Sequence, residues 1–199
     1  MDSVLEIVKR AKKCAPLIAN AKTARKNKIL QDIAAKLVRH SDEIIRENIK
    51  DMKKSEAAGV SSSLLDRLML DSRRIEKIAE SISQVIEMKD PVGQIIFGYN
   101  LPNGLILKNI RVPFGLIGII YEARPNVTVD SAVLCIKAGS CVVLRGSSHA
   151  LNTNLKIVEI MQKALEENGF CRDIISIIPS AGREEAEELM QLRDRKSVV

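Results

Sequence analysis

Two polar stretches, each following an apolar run, hold the residue types that could do chemistry. The first is YEARPN, residues 121–126, after LIGII. Pro125 fixes the backbone there, and Asn126 can present its side-chain amide from the start of the following helix. An amide N–H aimed into a cleft stabilises a developing oxyanion, although the same Asn could simply cap the helix. The second stretch is LRGSSH, residues 144–149, after CVV. Arg145 at a strand end, Gly146 permitting close backbone approach, and the hydroxyls of Ser147 and Ser148 at a helix start form a compact phosphate site. The helix dipole and free backbone N–H groups favour an anion there. The alternative is an ordinary helix cap with a surface Arg. His149 reads as a surface residue. There is no G-x-G-x-x-G and no Walker loop, so a dinucleotide would bind by another geometry.

These loops can cooperate only if strands carry them to one edge. Residues 115–121, 141–145 and 174–178 hold near-continuous apolar runs (LIGII, CVVL, IISII), the pattern of strands covered on both faces. They alternate with helical patterns over 126–138, 148–168 and 182–192, which implies right-handed crossovers and one parallel sheet. Ligands of such sheets bind beyond the C-terminal strand ends, where both polar loops fall.

Upstream, residues 2–20 and 23–57 read as helices. The second carries Ile29, Leu30, Ile33, Ala34, Leu37 and Val38 on one face. Ser61 to Ser63 can cap a short helix through Leu70. Asp71 can cap another, with Ile75, Ile78, Ala79, Ile82, Val85 and Ile86 as its buried stripe. Asp90-Pro91 breaks this layer. Residues 92–97 and 105–112 are strand candidates around the turn signal Asn103-Gly104. The second of them has apolar groups on both faces and needs cover. The expected fold class is therefore α/β: an N-terminal helical layer (1–90), a β-hairpin (91–113), then a truncated parallel-sheet, Rossmann-like domain (114–192). A sheet of three strands leaves an apolar edge unpaired, an aggregation hazard.

Composition narrows the function. The net charge is +6, and residues 1–60 hold 14 Lys/Arg against 8 Asp/Glu, whereas the remainder is balanced. The basic stretch KTARKNK (22–28) has no interleaved aromatic, so a solvated helix face is favoured over a nucleic-acid binder. No stretch approaches a membrane span, and the N-terminus lacks a secretory h-region, so a cytoplasmic protein is expected. The four cysteines (Cys14, Cys135, Cys141, Cys171) form no CxxC pair and, with two His, give no metal spacing. Cys135, Cys141 and Cys171 lie in or beside apolar runs and are expected to be small buried hydrophobes in a reducing compartment.

The segment VPFGLIGIIYEARPNVTVDSAVLCIKAGSCVVLRGSSHALNTN (112–154) closely resembles the γ-glutamyl phosphate reductases (glutamate-5-semialdehyde dehydrogenases) of the aldehyde dehydrogenase superfamily. DRLMLDSRRIEKIAESI, DPVGQ and PNGLILKNIRVP fit the same family, and the resemblance covers residues 1–192. It implies an aldehyde-dehydrogenase-type dinucleotide domain with an oligomerisation-type hairpin. It also implies NADPH-dependent reduction of L-glutamyl 5-phosphate to L-glutamate 5-semialdehyde and phosphate in L-proline biosynthesis, through a Cys thioester. Carried over by position, Arg145, Gly146, Ser147 and Ser148 match the loop for the adenosine ribose and its 2′-phosphate. Tyr121, Glu122 and Pro125 match the loop along the cofactor cleft, and Asn126 the oxyanion amide. A homo-oligomeric parent and association with a glutamate 5-kinase follow from the same resemblance, since this domain also forms half of bifunctional pyrroline-5-carboxylate synthases.

The family enzymes are about twice this length, and none of KKCAP, VLCIK, GSCVV or GFCRD resembles their nucleophile segment. The chain alone is therefore expected to be inactive. The alternative is a non-catalytic nucleotide-binding or dimerisation module that functions at this length. After Leu192 the family pattern stops. Residues 194–199 (DRKSVV) are what GAT-CGG-AAG-AGC-GTC-GTG encodes, a string resembling a common sequencing adapter, so the 193–199 tail reads as non-family sequence.

Overall fold

The computed structural model describes residues 3–180 and 182–192, together with the backbone of 197 and 198. Five helices come first: α1 (Val4–Ala19), α2 (Thr23–Arg39), α3 (Ser41–Ala57), α4 (Ser62–Leu68) and α5 (Ser72–Glu87). Local chemistry sets several starts. Ser3 and Glu6 form a reciprocal capping box on α1. Ser61 and Asp71 accept the N–H groups of Leu64 and Arg74 at the starts of α4 and α5, as their positions imply. Ile29, Leu30, Ile33 and Leu37 of α2 are buried where that helix packs along Ile75, Ile78, Ile82 and Val85 of α5. Each such side chain contributes about 1.5–3 kcal/mol by leaving water. Val38, expected on the same stripe, is exposed.

The single helix expected over 23–57 is two. His40 (φ −103°, ψ 22°) ends α2 and precedes α3. The reason lies in what α3 turns inward. Beside Ile44 it buries Asn48, Asp51 and Ser55, a polar face that apolar periodicity does not mark. Asp51 accepts four hydrogen bonds at the start of α7, described below: from the backbone N–H and side-chain amide of Asn152, and from the N–H and hydroxyl of Thr153. Asn48 donates to the Leu68 carbonyl and accepts from Leu70 N–H, which fastens the end of α4. His149 is correspondingly half-buried, its Nδ1 3.2 Å from Ser55 Oγ, rather than a surface residue.

The hairpin pairs β1 (Ile95–Asn100) with β2 (Ile106–Ile110) in antiparallel register, with an irregularity between Ile95 and Phe97. β1 starts later than expected because Asp90 and Pro91 build a turn: Val92 N–H donates to Asp90 Oδ1 and Gln94 N–H to the Pro91 carbonyl. Every residue of both strands is exposed.

The α/β part follows as β3 (Leu116–Ile120), α6 (Pro125–Lys137), β4 (Cys141–Arg145), α7 (Leu151–Glu167), β5 (Ile175–Ile177) and α8 (Arg183–Gln191). Residues 148–150, expected as the first turn of α7, form a separate 3₁₀ turn. The strands lie in the order β5-β4-β3, all parallel. The expected unpaired edge is partly covered. A two-residue β6 (Ser197–Val198) pairs in parallel with Ile117 and Gly118 of β3; the rest of the 193–199 tail lies outside the described residues.

Two further features tie the helical layer to the sheet. Lys26, fully buried, pairs with Asp90 and donates to the Lys137 carbonyl at the end of α6. Cys14 of α1 and Cys171 before β5 are joined as a disulfide, with Cα atoms 6.2 Å apart. This corrects the expectation of Cys171 as a reduced buried thiol; a pairing 157 residues apart in the chain leaves no trace in local spacing. Cys135 and Cys141 are buried, as expected.

Two tests follow. Asp51→Ala strands buried donors at the head of α7 and should cost about 3 kcal/mol in denaturant unfolding; a loss below about 0.5 kcal/mol would contradict this reading. Burial works against ionisation of Asp90, but Lys26, the Thr23 hydroxyl and Val92 N–H outweigh it and hold its carboxyl below the ordinary value. A lowered folded pKa gives stability that is complete above about pH 4 and drains away as pH falls further. In melts between pH 7 and pH 2.5, Asp90→Asn should therefore lose most stability at neutral pH and converge on the parent at the acid end.

Candidate functional site

β3 and β4 are parallel and level, with Ile120 opposite Arg145. The Tyr121 N–H donates to the Arg145 carbonyl at 3.1 Å, carrying the ladder one residue into the loops. Both polar loops therefore leave the same edge of the sheet, beyond its C-terminal strand ends.

A buried polar chain braces them. The Thr128 hydroxyl donates to Asn154 Oδ1 at 2.9 Å, which leaves its oxygen to accept from the Tyr121 hydroxyl at 2.6 Å. Burial pushes the Tyr121 phenol up to about 12, against the opposing effect of the Thr128 bond, so it stays a donor. Gly146 lies directly over this chain. A Cβ there would sit 2.5 Å from Asn154 Nδ2 and 3.1 Å from the Tyr121 oxygen, so only Gly fits. Asn154 is fully buried and its Nδ2 has no hydrogen-bond partner among the described residues. Neither Thr128 nor Asn154 stood out in the sequence; their one signal is a polar group on the inward face of an otherwise apolar helix.

The 145–148 loop departs from the expected helix-terminus site. The Ser147 hydroxyl accepts His149 N–H and so caps the 3₁₀ turn, while Ser148 is exposed. The first free N–H groups of α7, at Asn152 and Thr153, are taken by the Asp51 carboxylate. A second anion gains nothing from that terminus. Positive character here comes from Arg145, whose Nη2 donates to the Gly182 carbonyl at 2.7 Å, ahead of α8.

In the other loop, Glu122 is exposed and its carbonyl accepts the Arg124 N–H. Pro125 is buried at the first position of α6, where its missing N–H costs nothing. Asn126 does not cap the helix, because Arg124 holds the capping position. Asn126 is exposed, and its Nδ2 donates to Asp130 Oδ2 at 3.3 Å. It opens onto a cavity of about 290 Å³ lined also by Arg67, Arg74, Lys77, Ser81 and Asp130. Tyr121 and Arg145 do not line this cavity. The structure thus brings Tyr121, Arg145 and Gly146 together, and sets Asn126 at the same sheet edge over separate space. Burial raises the Asp130 carboxyl above its usual value, partly offset by Asn126 and Ser81.

The cysteines present a poor nucleophile set. Burial pushes the thiols of Cys135 and Cys141 up to about 12, and Cys14 and Cys171 are consumed in their disulfide.

Comparisons with known proteins agree with this architecture. The chain is 43% identical over 194 residues to the gamma-glutamyl phosphate reductase of Dictyoglomus thermophilum, covering 98% of this chain and 47% of that protein. It is 42% identical over 199 residues to that of Anoxybacillus flavithermus, covering 100% and 48%. The crystal structure of gamma-glutamyl phosphate reductase from Thermotoga maritima superposes with a TM-score of 0.95 at 39% identity, over 98% of this chain and 47% of that one. The chain spans about half the length of the curated relatives it matches. The model of the aldehyde dehydrogenase family matches residues 1–199, and the chain belongs to that family.

Proposed function

We propose that this chain is the dinucleotide-binding portion of an NADPH-dependent reductase, cytoplasmic, that converts L-glutamyl 5-phosphate to L-glutamate 5-semialdehyde in L-proline biosynthesis. The observation that carries the reading is the level ending of β3 and β4, which delivers both polar loops to one sheet edge. The relatives' name, gamma-glutamyl phosphate reductase, supports reduction of a glutamyl phosphate.

Each residue then has a task. Arg145, steadied by the Gly182 carbonyl, faces the 2′-phosphate of the adenosine ribose, with the hydroxyls of Ser147 and Ser148 completing the loop. Gly146 lets the loop settle directly onto Asn154 and Tyr121, which fixes the height of Arg145, Ser147 and Ser148 at the sheet edge. Tyr121, Glu122 and Pro125 shape the path from this loop toward the reacting centre. Asn126 Nδ2 donates to the acyl oxygen as charge develops on it. NADPH, when bound, supplies the hydride.

The nucleophilic Cys belongs to another part of the whole protein, because none of the four cysteines here offers a thiolate at neutral pH. The hairpin exposes Ile95, Phe97, Tyr99, Ile106 and Ile110; in the whole protein a second copy covers it, which makes the parent a homo-oligomer. A glutamate 5-kinase, which makes the labile acyl phosphate, is the expected neighbour in the pathway.

Calorimetric titration should show NADPH binding, weakened about tenfold by Arg145→Ala, or about 1.4 kcal/mol, with NADH affected far less. Equal effects on both nucleotides would remove Arg145 from the 2′-phosphate. The isolated chain should show no phosphate-dependent reduction of NADP by glutamate semialdehyde; clear turnover would contradict the assignment of the nucleophile elsewhere and the alternative reading of a non-catalytic module alike.

A further inference from the structure

The cavity beside Asn126 has a charge pattern that the dinucleotide does not explain. Three cations line it (Arg67, Arg74 and Lys77), with one carboxylate, Asp130. Arg74 is already committed: it pairs with the Asp66 carboxylate and donates to the Asp66 and Met69 carbonyls. It is a strut between α4 and α5. Arg67 and Lys77 are exposed and make no ion pair among the described residues. Asp130 is half-buried, and its partners are two neutral donors at long range, Asn126 Nδ2 at 3.3 Å and Ser81 Oγ at 3.4 Å. Among the described residues no cation neutralises it. A half-buried carboxylate with no cation in direct contact is a costly arrangement; the cations that share its cavity make no ion pair with it, so a ligand's positive charge would offset the cost.

Resting on the reading given under Proposed function, we propose that this cavity recognises the amino-acid end of the substrate: Asp130 takes the α-ammonium, and Arg67 with Lys77 takes the α-carboxylate. The order of groups along the cavity supports this. Asn126 and Asp130 are four residues apart on α6, so their side chains project from one face on successive turns. An acyl oxygen held by the Asn126 amide places the two methylenes of a glutamyl chain alongside that face. Because Asn126 Nδ2 already lies 3.3 Å from Asp130 Oδ2, the glutamyl chain folds back along that face to bring its α-carbon to Asp130. Its ammonium meets the carboxylate, and its carboxylate points across to α4 and α5, where Arg67 and Lys77 stand. The cavity of about 290 Å³ accommodates a ligand of this size. The specificity that follows is for an α-amino acid. An acyl group of the same length without the ammonium leaves Asp130 uncompensated, and one without the carboxylate leaves two cations facing each other.

The test uses the 199-residue chain and L-glutamine, a stable probe with the same α-ammonium and α-carboxylate and a neutral terminal carbonyl. Amide resonances are followed by heteronuclear NMR. The expected result is a saturable shift centred on Ser81, Asn126 and Asp130, at least tenfold weaker with 4-carbamoylbutanoate, which lacks the ammonium. Arg67→Glu, at an exposed position that does not threaten folding, should weaken glutamine at least fivefold, and Asp130→Asn should abolish the preference for the ammonium. No saturable shift at these residues, or equal affinity for the two probes, overturns the proposal. NADPH titrated into the same unsubstituted sample reads the 145–148 loop separately. Saturation by NADPH without a response to glutamine overturns this subsite and leaves the reductase reading standing. The reverse pattern overturns the dinucleotide reading while supporting the amino-acid pocket.

Discussion

The register of β3 against β4 is the constraint on which the site depends. Cys141, Val142, Val143 and Leu144 are all fully buried, and Leu116 to Ile120 pair with Cys141 to Arg145 one for one. A slip of one residue would turn each β4 side chain to the opposite face and break the bond from Tyr121 to the Arg145 carbonyl. The two loops would then leave the sheet at different heights. Helices α6 and α7 resist this slip, because Thr128 on one is bonded to Asn154 on the other, and Tyr121 to Thr128. The geometry of this sheet edge is thus set by burial first and locked by a short polar chain second.

The same face shows a compromise in electrostatics. The helix start nearest the 145–148 loop is the obvious place for an anion, yet Asp51 occupies it from α3. That carboxylate fastens the N-terminal layer to the α/β part, and the cost is a terminus that no longer attracts phosphate. Arg145 restores positive charge one loop earlier, held out from the strand end by the Gly182 carbonyl. The carboxylate that fastens the two layers and the guanidinium that the loop presents are therefore different charges, set one loop apart.

Much of this was legible from local rules. Continuous apolar runs identified β3, β4 and β5; Ser61 and Asp71 announced their helices; and the two polar loops pointed to one sheet edge. The unreadable parts share a cause. The break at His40 depends on α3 burying Asn48, Asp51 and Ser55 against α4 and α7, and the Cys14–Cys171 link joins opposite ends of the chain. Asp130, Arg67 and Lys77 meet only because α4, α5 and α6 converge. Each is a pairing between distant segments, which hydrophobic periodicity cannot encode. Asn126 shows the same limit on a smaller scale: its position suits a cap, and only the geometry of Arg124 and Pro125 shows that it is directed elsewhere.

The most direct measurement is a crystal structure of the chain soaked with NADPH. The account predicts density across the C-terminal ends of β3 and β4, with the 2′-phosphate in hydrogen-bond reach of the Arg145 guanidinium and the nicotinamide end directed toward the 121–126 loop. A nucleotide bound at any other face, or one whose 2′-phosphate turns away from Arg145 into solvent, would contradict it.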